Sequence, residues 1–292
     1  MDWPRARAIL LAAFAVVNLI LAYSIWGTGS VFVGPAVASR QTAQQLRESL
    51  LERGLVLPIT VTVPRTPNPM RFLYVEAPLT PDSLEWAGEF YGTTPFQRAE
   101  IATPSHLRLM VNPETHATEL WANATGPAAR EVQLDNEELV RKAAEDYLRQ
   151  IAFMPPGARF SAIYPAGEDR LVAEFVPFFE GVPVYSGYVR VEVSARGIEK
   201  VTRLWVVPRY YTDAPPKDVR PASEALLRLA GRLSSTEMLT VKEIQVGYYA
   251  GRAFSLAHPD DVHGWDTVPV WRITLDDGQI FYVNAFNGEW ES

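Results

Sequence analysis

From Ala8 to Trp26 the chain carries no charged residue, and nearly every side chain is apolar. A helix rises about 1.5 Å per residue, so this run is about long enough to cross a hydrocarbon core roughly 30 Å thick. Trp3 lies at one edge of it, and Tyr23 and Trp26 lie at the other. Aromatic rings at both edges suit the two membrane interfaces, and Arg5 and Arg7 hold their side in the cytoplasm. The segment predicts a cytoplasmic tail over 1–7, a single transmembrane helix over 8–26, and export of Gly27–Ser292. The competing reading is a cleaved signal peptide, supported by the small-x-small triplet Ala36-Val37-Ala38. Against it, the apolar run exceeds the usual signal core, ends in tryptophan, and stops well before that triplet.

One face of the predicted helix differs from the rest. Ala8, Ala12, Ala15, Asn18 and Ala22 fall within an arc of roughly 120°, while Leu10, Phe14, Val17 and Leu21 lie opposite. Small residues let a second helix approach closely, and an amide hydrogen-bonds across such a contact. The arc is the candidate partner-helix interface. The alternative is an alanine-rich span that tolerates one asparagine.

The whole chain, at 292 residues, is long enough for about two domains and, at 48% hydrophobic residues, apolar enough to bury cores. A net charge of −7 argues against nucleic acid as a partner. The absence of cysteine removes disulfides, thiolate catalysis and cysteine metal sites.

Residues 27–38 read as a linker rich in Gly and Pro. A first mixed subdomain is predicted over 39–130. Its helix runs from Ser39 to Arg53, with Leu46, Leu50 and Leu51 as its apolar face. Strands are predicted near Ile59–Val63 and Arg71–Glu76, a second helix from Thr80, and a hairpin of His106–Val111 with Ala117–Ala122. Gly126-Pro127-Ala128 marks a plausible boundary. A second subdomain, 131–214, opens with a helix from Asn136 to Ile151, whose apolar residues Leu139, Ala143, Tyr147 and Ile151 recur every four positions. Strands follow at Arg159–Tyr164, Arg170–Glu180, Val182–Ser194 and Ile198–Val207. A third, 215–292, repeats the plan. Its helix opens at Pro221, its strands span Val241–Gly251, Thr267–Leu275 and Ile280–Phe286, and Asp276-Asp277-Gly278 turns between the last two. The fold class is α+β, the last two subdomains each a helix plus an antiparallel meander.

Candidate chemistry is sparse. His258, Asp260, Asp261 and His263 crowd one stretch, but their spacing fits no metal motif, and a solvated loop is the simpler account. No nucleophile elbow, phosphate loop or zinc helix occurs, so no catalytic residue, cofactor or metal ligand is assigned. Phe175, Phe178, Phe179, Tyr185, Tyr188, Trp205, Tyr210 and Tyr211 concentrate in one region, as sheet core or as a binding surface.

Three sets of residues resemble the YycI (WalI) family. The first is Met1-Asp2-Trp3, Arg5, Ile9-Leu10, Phe14, Asn18, Leu21-Ala22-Tyr23 and Trp26. The second is Phe179–Tyr185. The third comprises Val268–Ile273 and Tyr282–Glu289. Leu55–Ala129 carries no matching motif. The resemblance implies a membrane-anchored accessory regulator of a WalK-like (YycG-like) sensor histidine kinase. That two-component system controls cell-wall metabolism, and the regulator acts beside a YycH-like companion. Contacts would be made through the transmembrane helix and the exported domains. The helix-plus-meander units also resemble PepSY-like modules. Two further classes stay open: an exported module binding peptides or wall fragments, and an extracytoplasmic hydrolase.

Overall fold

The structure, a computed structural model, describes residue 14 and residues 40–77, 101–102, 108–111, 117–233, 238–251 and 264–291. The predicted transmembrane segment lies outside these except for Phe14, and the helix predicted from Thr80 lies outside them entirely. Among the described residues no helix is long and apolar enough to cross a membrane. The chain divides into two compact units, Met1–Leu46 and Arg47–Ser292. The helix α1 (Arg40–Leu51) spans the division, and both large sheets belong to the second unit.

The first sheet contains, in chain order, β3 (Ile101–Ala102), β4 (Arg108–Val111), β5 (Thr118–Trp121), β6 (Arg159–Pro165), β7 (Arg170–Val176), β10 (Tyr188–Ser194) and β11 (Gly197–Leu204). Their spatial order is β3-β4-β5-β11-β10-β7-β6, and every pairing is antiparallel. The predicted hairpin before residue 126 is therefore present, and it joins the sheet formed after residue 131 through β5 and β11. Between them, Gly126–Ala128 forms one short 3-10 turn whose Ala128 enters the core.

The helix α2 (Glu137–Gln150) covers one face of this sheet. The Asn136 carboxamide oxygen caps it by accepting from the backbone N–H groups of Glu138 and Leu139. Glu137 and Glu138 in the first turn and Arg149 in the last complement its dipole. It lays Val140, Ala143, Ala144, Tyr147 and Leu148 on Leu120, Ala173, Phe175, Val189, Val191 and Val201. Leu139, expected on that stripe, is exposed, because the buried arc is centred nearer Val140.

The second sheet runs β1-β13-β14-β15-β16, from β1 (Leu55–Val56), β13 (Leu239–Tyr249), β14 (Gly264–Leu275), β15 (Ile280–Asn284) and β16 (Trp290–Glu291). β2 (Leu73–Glu76) pairs with the start of β14 and with β12 (Val207–Tyr211). Here the expectation is corrected. Ile59–Val63 is no strand: Val61 N–H bonds back to the Pro58 carbonyl in a turn, and Ile59 is 87% exposed. The strand is the short β1, parallel to β13. Leu51 is likewise exposed rather than part of the apolar face of α1.

The long strands predicted around residue 180 are broken into shorter ones. β7 ends before Pro177, and β8 (Phe178–Phe179) and β9 (Val182–Pro183) form a separate hairpin before the chain enters β10. Prolines 177 and 183 lack the N–H that a continuous ladder needs. The hairpin turns through Glu180 and Gly181, both at positive φ.

Alternation along β14 sorts the second sheet's faces. Val270 clusters with Val176 and Tyr185 on the side of the first sheet. Trp271, Ile273 and Leu275 therefore point the other way. On that side Trp271 Nε1 donates to the carbonyl of Arg220, just before α3 (Ala222–Arg232). The layers stack as α2, first sheet, second sheet, α3.

Candidate functional site: a charged seam between the sheets

The stacking has an unusual chemical consequence. Each sheet turns its aliphatic face toward a helix, so the faces that meet between the sheets carry polar and aromatic side chains. At the centre lies Glu174 on β7, an acidic residue in the otherwise apolar run Leu171–Val176. Opposite it lies Arg272, a basic residue in the apolar Val268–Ile273. Glu174 is 1% exposed and Arg272 2%.

The contacts are dense. Arg272 Nη2 is 2.6 Å from Glu174 Oε1. Arg190 Nε donates to Glu174 Oε2 at 2.8 Å, and the Tyr164 hydroxyl donates to the same oxygen at 3.2 Å. Arg272 Nη1 donates to Ser161 Oγ at 2.9 Å, and its guanidinium lies over the Tyr185 ring at 4.7 Å. Arg190 lies over Tyr188 at 3.9 Å. The Tyr185 hydroxyl donates to Gln245 Oε1 at 2.9 Å, and Gln245 Nε2 donates to Glu243 Oε1 at 2.6 Å. Tyr249 and Tyr282 stack at 4.0 Å, with Tyr185 5.8 Å from Tyr282.

Burial by itself would raise the Glu174 carboxyl above its usual range. The charges of Arg272 and Arg190, with the hydrogen bonds from Arg190 and Tyr164, outweigh it and hold the group low. Burial pulls Arg272 down, but the Glu174 charge leaves it net raised. Burial pushes Tyr164, Tyr185 and Tyr282 up, so all three stay protonated donors. Glu243 is raised, chiefly by burial. A carboxylate kept ionised between two guanidiniums and closed off from water is poorly suited to general acid or base work. What the arrangement does well is hold two sheets together.

Other ties cross the same seam. Lys242 Nζ on β13 donates to the Ile163 carbonyl of β6 at 2.7 Å and pairs with Glu137 at the start of α2. The Tyr185 N–H donates to the Tyr248 carbonyl at 2.7 Å, and the Ala250 N–H donates to Ser186 Oγ. The turn residue Gly278 meets Pro165: a Cβ at Gly278 would collide with the Pro165 carbonyl oxygen.

The sequence-based candidates fare differently. Ala8, Ala12, Ala15, Asn18 and Ala22 lie outside the described residues, as do His258, Asp260, Asp261 and His263. Among the described residues, no group of three or more His, Cys, Asp or Glu side chains is placed to hold a metal. The aromatic set is divided. Phe175 is in the core under α2, Tyr185 is at the seam, and Phe179 and Tyr211 pack with Tyr248 on the second sheet. Tyr210 is 56% exposed and stacks on Tyr74. Glu174, Arg190 and Arg272 were not among the candidates. For Glu174 and Arg272 the signal was a solitary charge in an apolar run; Arg190, two residues from Glu192, carried no such signal.

No protein-family model and no curated protein matches the chain. Among solved structures it is similar to the Bacillus megaterium YpeB C-terminal domain, at 14% identity and a TM-score of 0.33, over 73% of this chain and 96% of that one.

Proposed function

We propose that this chain is a membrane-anchored, exported regulator of the YycI type, which modulates a WalK-like sensor histidine kinase alongside a YycH-like companion and carries out no catalysis. One observation supports the reading above others. Segments that carry the family resemblance, far apart in sequence, meet at one place. Tyr185 comes from Phe179–Tyr185, Arg272 from Val268–Ile273, and Tyr282 opens Tyr282–Glu289. Arg272 lies over the Tyr185 ring, Tyr282 is its register partner on the neighbouring strand, and the two tyrosines lie 5.8 Å apart. Residues that look like a family signature thus come together at the buried seam between the sheets.

The test is co-purification of the full chain from detergent-extracted membranes of cells that carry such a kinase. Recovery of the kinase and the companion in proportion to the chain is the expected result. Recovery of neither, from cells where all three are detected, would overturn the proposal.

A further inference from the structure

We infer that the Glu174–Arg272 pair is a latch, and that the two α/β layers part along the seam while each remains folded. The inference goes beyond the proposed function and assumes no particular partner. Three observations carry it. First, each layer has a helix of its own: α2 packs on the first sheet, and α3, which buries Ala225, Leu226 and Leu229, lies on the far side of the second, where Trp271 bonds to the carbonyl of Arg220 beside it. Neither layer needs the other to bury its aliphatic face. Second, the seam between them is polar and tyrosine-rich, with modest apolar patches around Val176–Val270 and around Ala162, Tyr164 and Val172. Contacts of that composition resemble those between domains that move, more than those inside a core. Third, the charges at the seam are shared out asymmetrically. Glu174 and Arg190 belong to the first layer and Arg272 to the second. When the layers separate, Glu174 keeps Arg190 and Tyr164, and Arg272 gains water. Opening therefore strands no carboxylate, and it exchanges one charge pair for a hydrated guanidinium.

The backbone supplies a built-in reporter. The Tyr185 amide lies where the chain passes from its Val184–Tyr248 bridge on the second sheet into β10 of the first, and it bonds to Tyr248, whereas the amides of β10 and β11 bond within the first sheet and those of β14 and β15 within the second. Hydrogen exchange on the full chain in mild urea reads both classes at once. In the native chain, the Tyr185 amide should exchange at least about tenfold faster than the strand amides, and by an opening that depends less on urea. Equal rates and equal urea dependence would overturn the latch, because the two layers would then be one cooperative body. Glu174→Gln should speed Tyr185 exchange further while leaving the β10 and β11 amides within about twofold. A matching rise at all of them would count against it. Should that variant fold poorly, the double replacement Glu174→Leu with Arg272→Met fills the seam with apolar side chains. It should slow Tyr185 exchange below the native rate, and an unchanged or faster rate would refute the latch.

Discussion

Arg272 on β14 and Glu174 on β7 face each other from different sheets, guanidinium nitrogen to carboxylate oxygen at 2.6 Å, with almost no solvent on either. Such pairs are weak net contributors while intact, but they are costly to break from one side, because the remaining charge stays buried. Arg272→Met should therefore destabilise the chain in urea unfolding, by less than the roughly 3–5 kcal/mol that follows when a buried charge loses every partner, because Glu174 keeps Arg190 and Tyr164. Adding Glu174→Leu should restore most of that loss, since Arg190 is partly exposed and can turn to water. A double variant no more stable than Arg272→Met would show that the charge pairing is not what the seam depends on.

The same pair sets an acid limb. Glu174 has its folded pKa held below the usual glutamate value of about 4.3, so it contributes stability that is present above that pH and is lost as pH falls through the depressed folded value. Glu243 has the opposite sign. Its raised pKa favours the fold below about pH 4.3, and that contribution is lost as pH rises through the folded value. Glu174→Gln should flatten the loss of melting temperature on acidification below about pH 4.3, whereas Glu243→Gln should flatten the decline above it. Parallel curves for native and Glu174→Gln proteins would remove Glu174 from the acid limb.

Glycines 157 and 278 make a controlled comparison. Both have positive φ, at 78° and 90°, but a Cβ at Gly157 meets nothing within 4 Å, while one at Gly278 strikes Pro165 of the other layer. Gly157→Ala should cost about 1–2 kcal/mol for the left-handed backbone alone. Gly278→Ala should cost about 1–3 kcal/mol more, as overpacking at the seam. Equal losses in thermal unfolding would mean that the turn yields to the added methyl group.

If the proposed transmembrane helix meets a partner through its small-residue face, Ala15→Phe should weaken in-membrane cross-linking, and Asn18→Leu should remove a contact of about 0.6–2 kcal/mol. Leu10→Phe, opposite that face in the proposed helix, should leave cross-linking unchanged. Equal signals from Ala15→Phe and Leu10→Phe, normalised to protein level, would sink the assigned face.

Local elements were readable from local signals. Asn136 before Glu137-Glu138 announced α2, Asp276-Asp277-Gly278 announced the β14–β15 turn, and the β4–β5 hairpin emerged from its two short apolar runs. What escaped was non-local. Ile59–Val63 has strand-like composition but pairs with no strand among the described residues, whereas the two-residue β1 exists because β13 offers an edge to it. Strands that change sheets part-way were read as continuous, since Pro177, Pro183 and Trp205–Val206 mark breaks that only the second sheet explains. The seam was legible in half: a lone Glu174 and a lone Arg272 in apolar strands each ask for a buried partner. Nothing in the one-dimensional pattern joins residue 174 to residue 272, because that pairing depends on how the sheets stack.

The origin of the strands fixes an order of assembly. The first sheet draws on the continuous stretch 101–204, whereas the second gathers β1 and β2 from residues 55–76 and the rest from 207–291. As the chain emerges from its N-terminus, every strand of the first sheet is available before β13 has been made. β1 and one edge of β2 must wait for strands that arrive nearly two hundred residues later. Contacts of such sequence separation close slowly. The second layer is therefore a late product of synthesis, completed around an already formed neighbour, and truncations near the C-terminus should leave the first layer standing beside an unclosed loop of early chain.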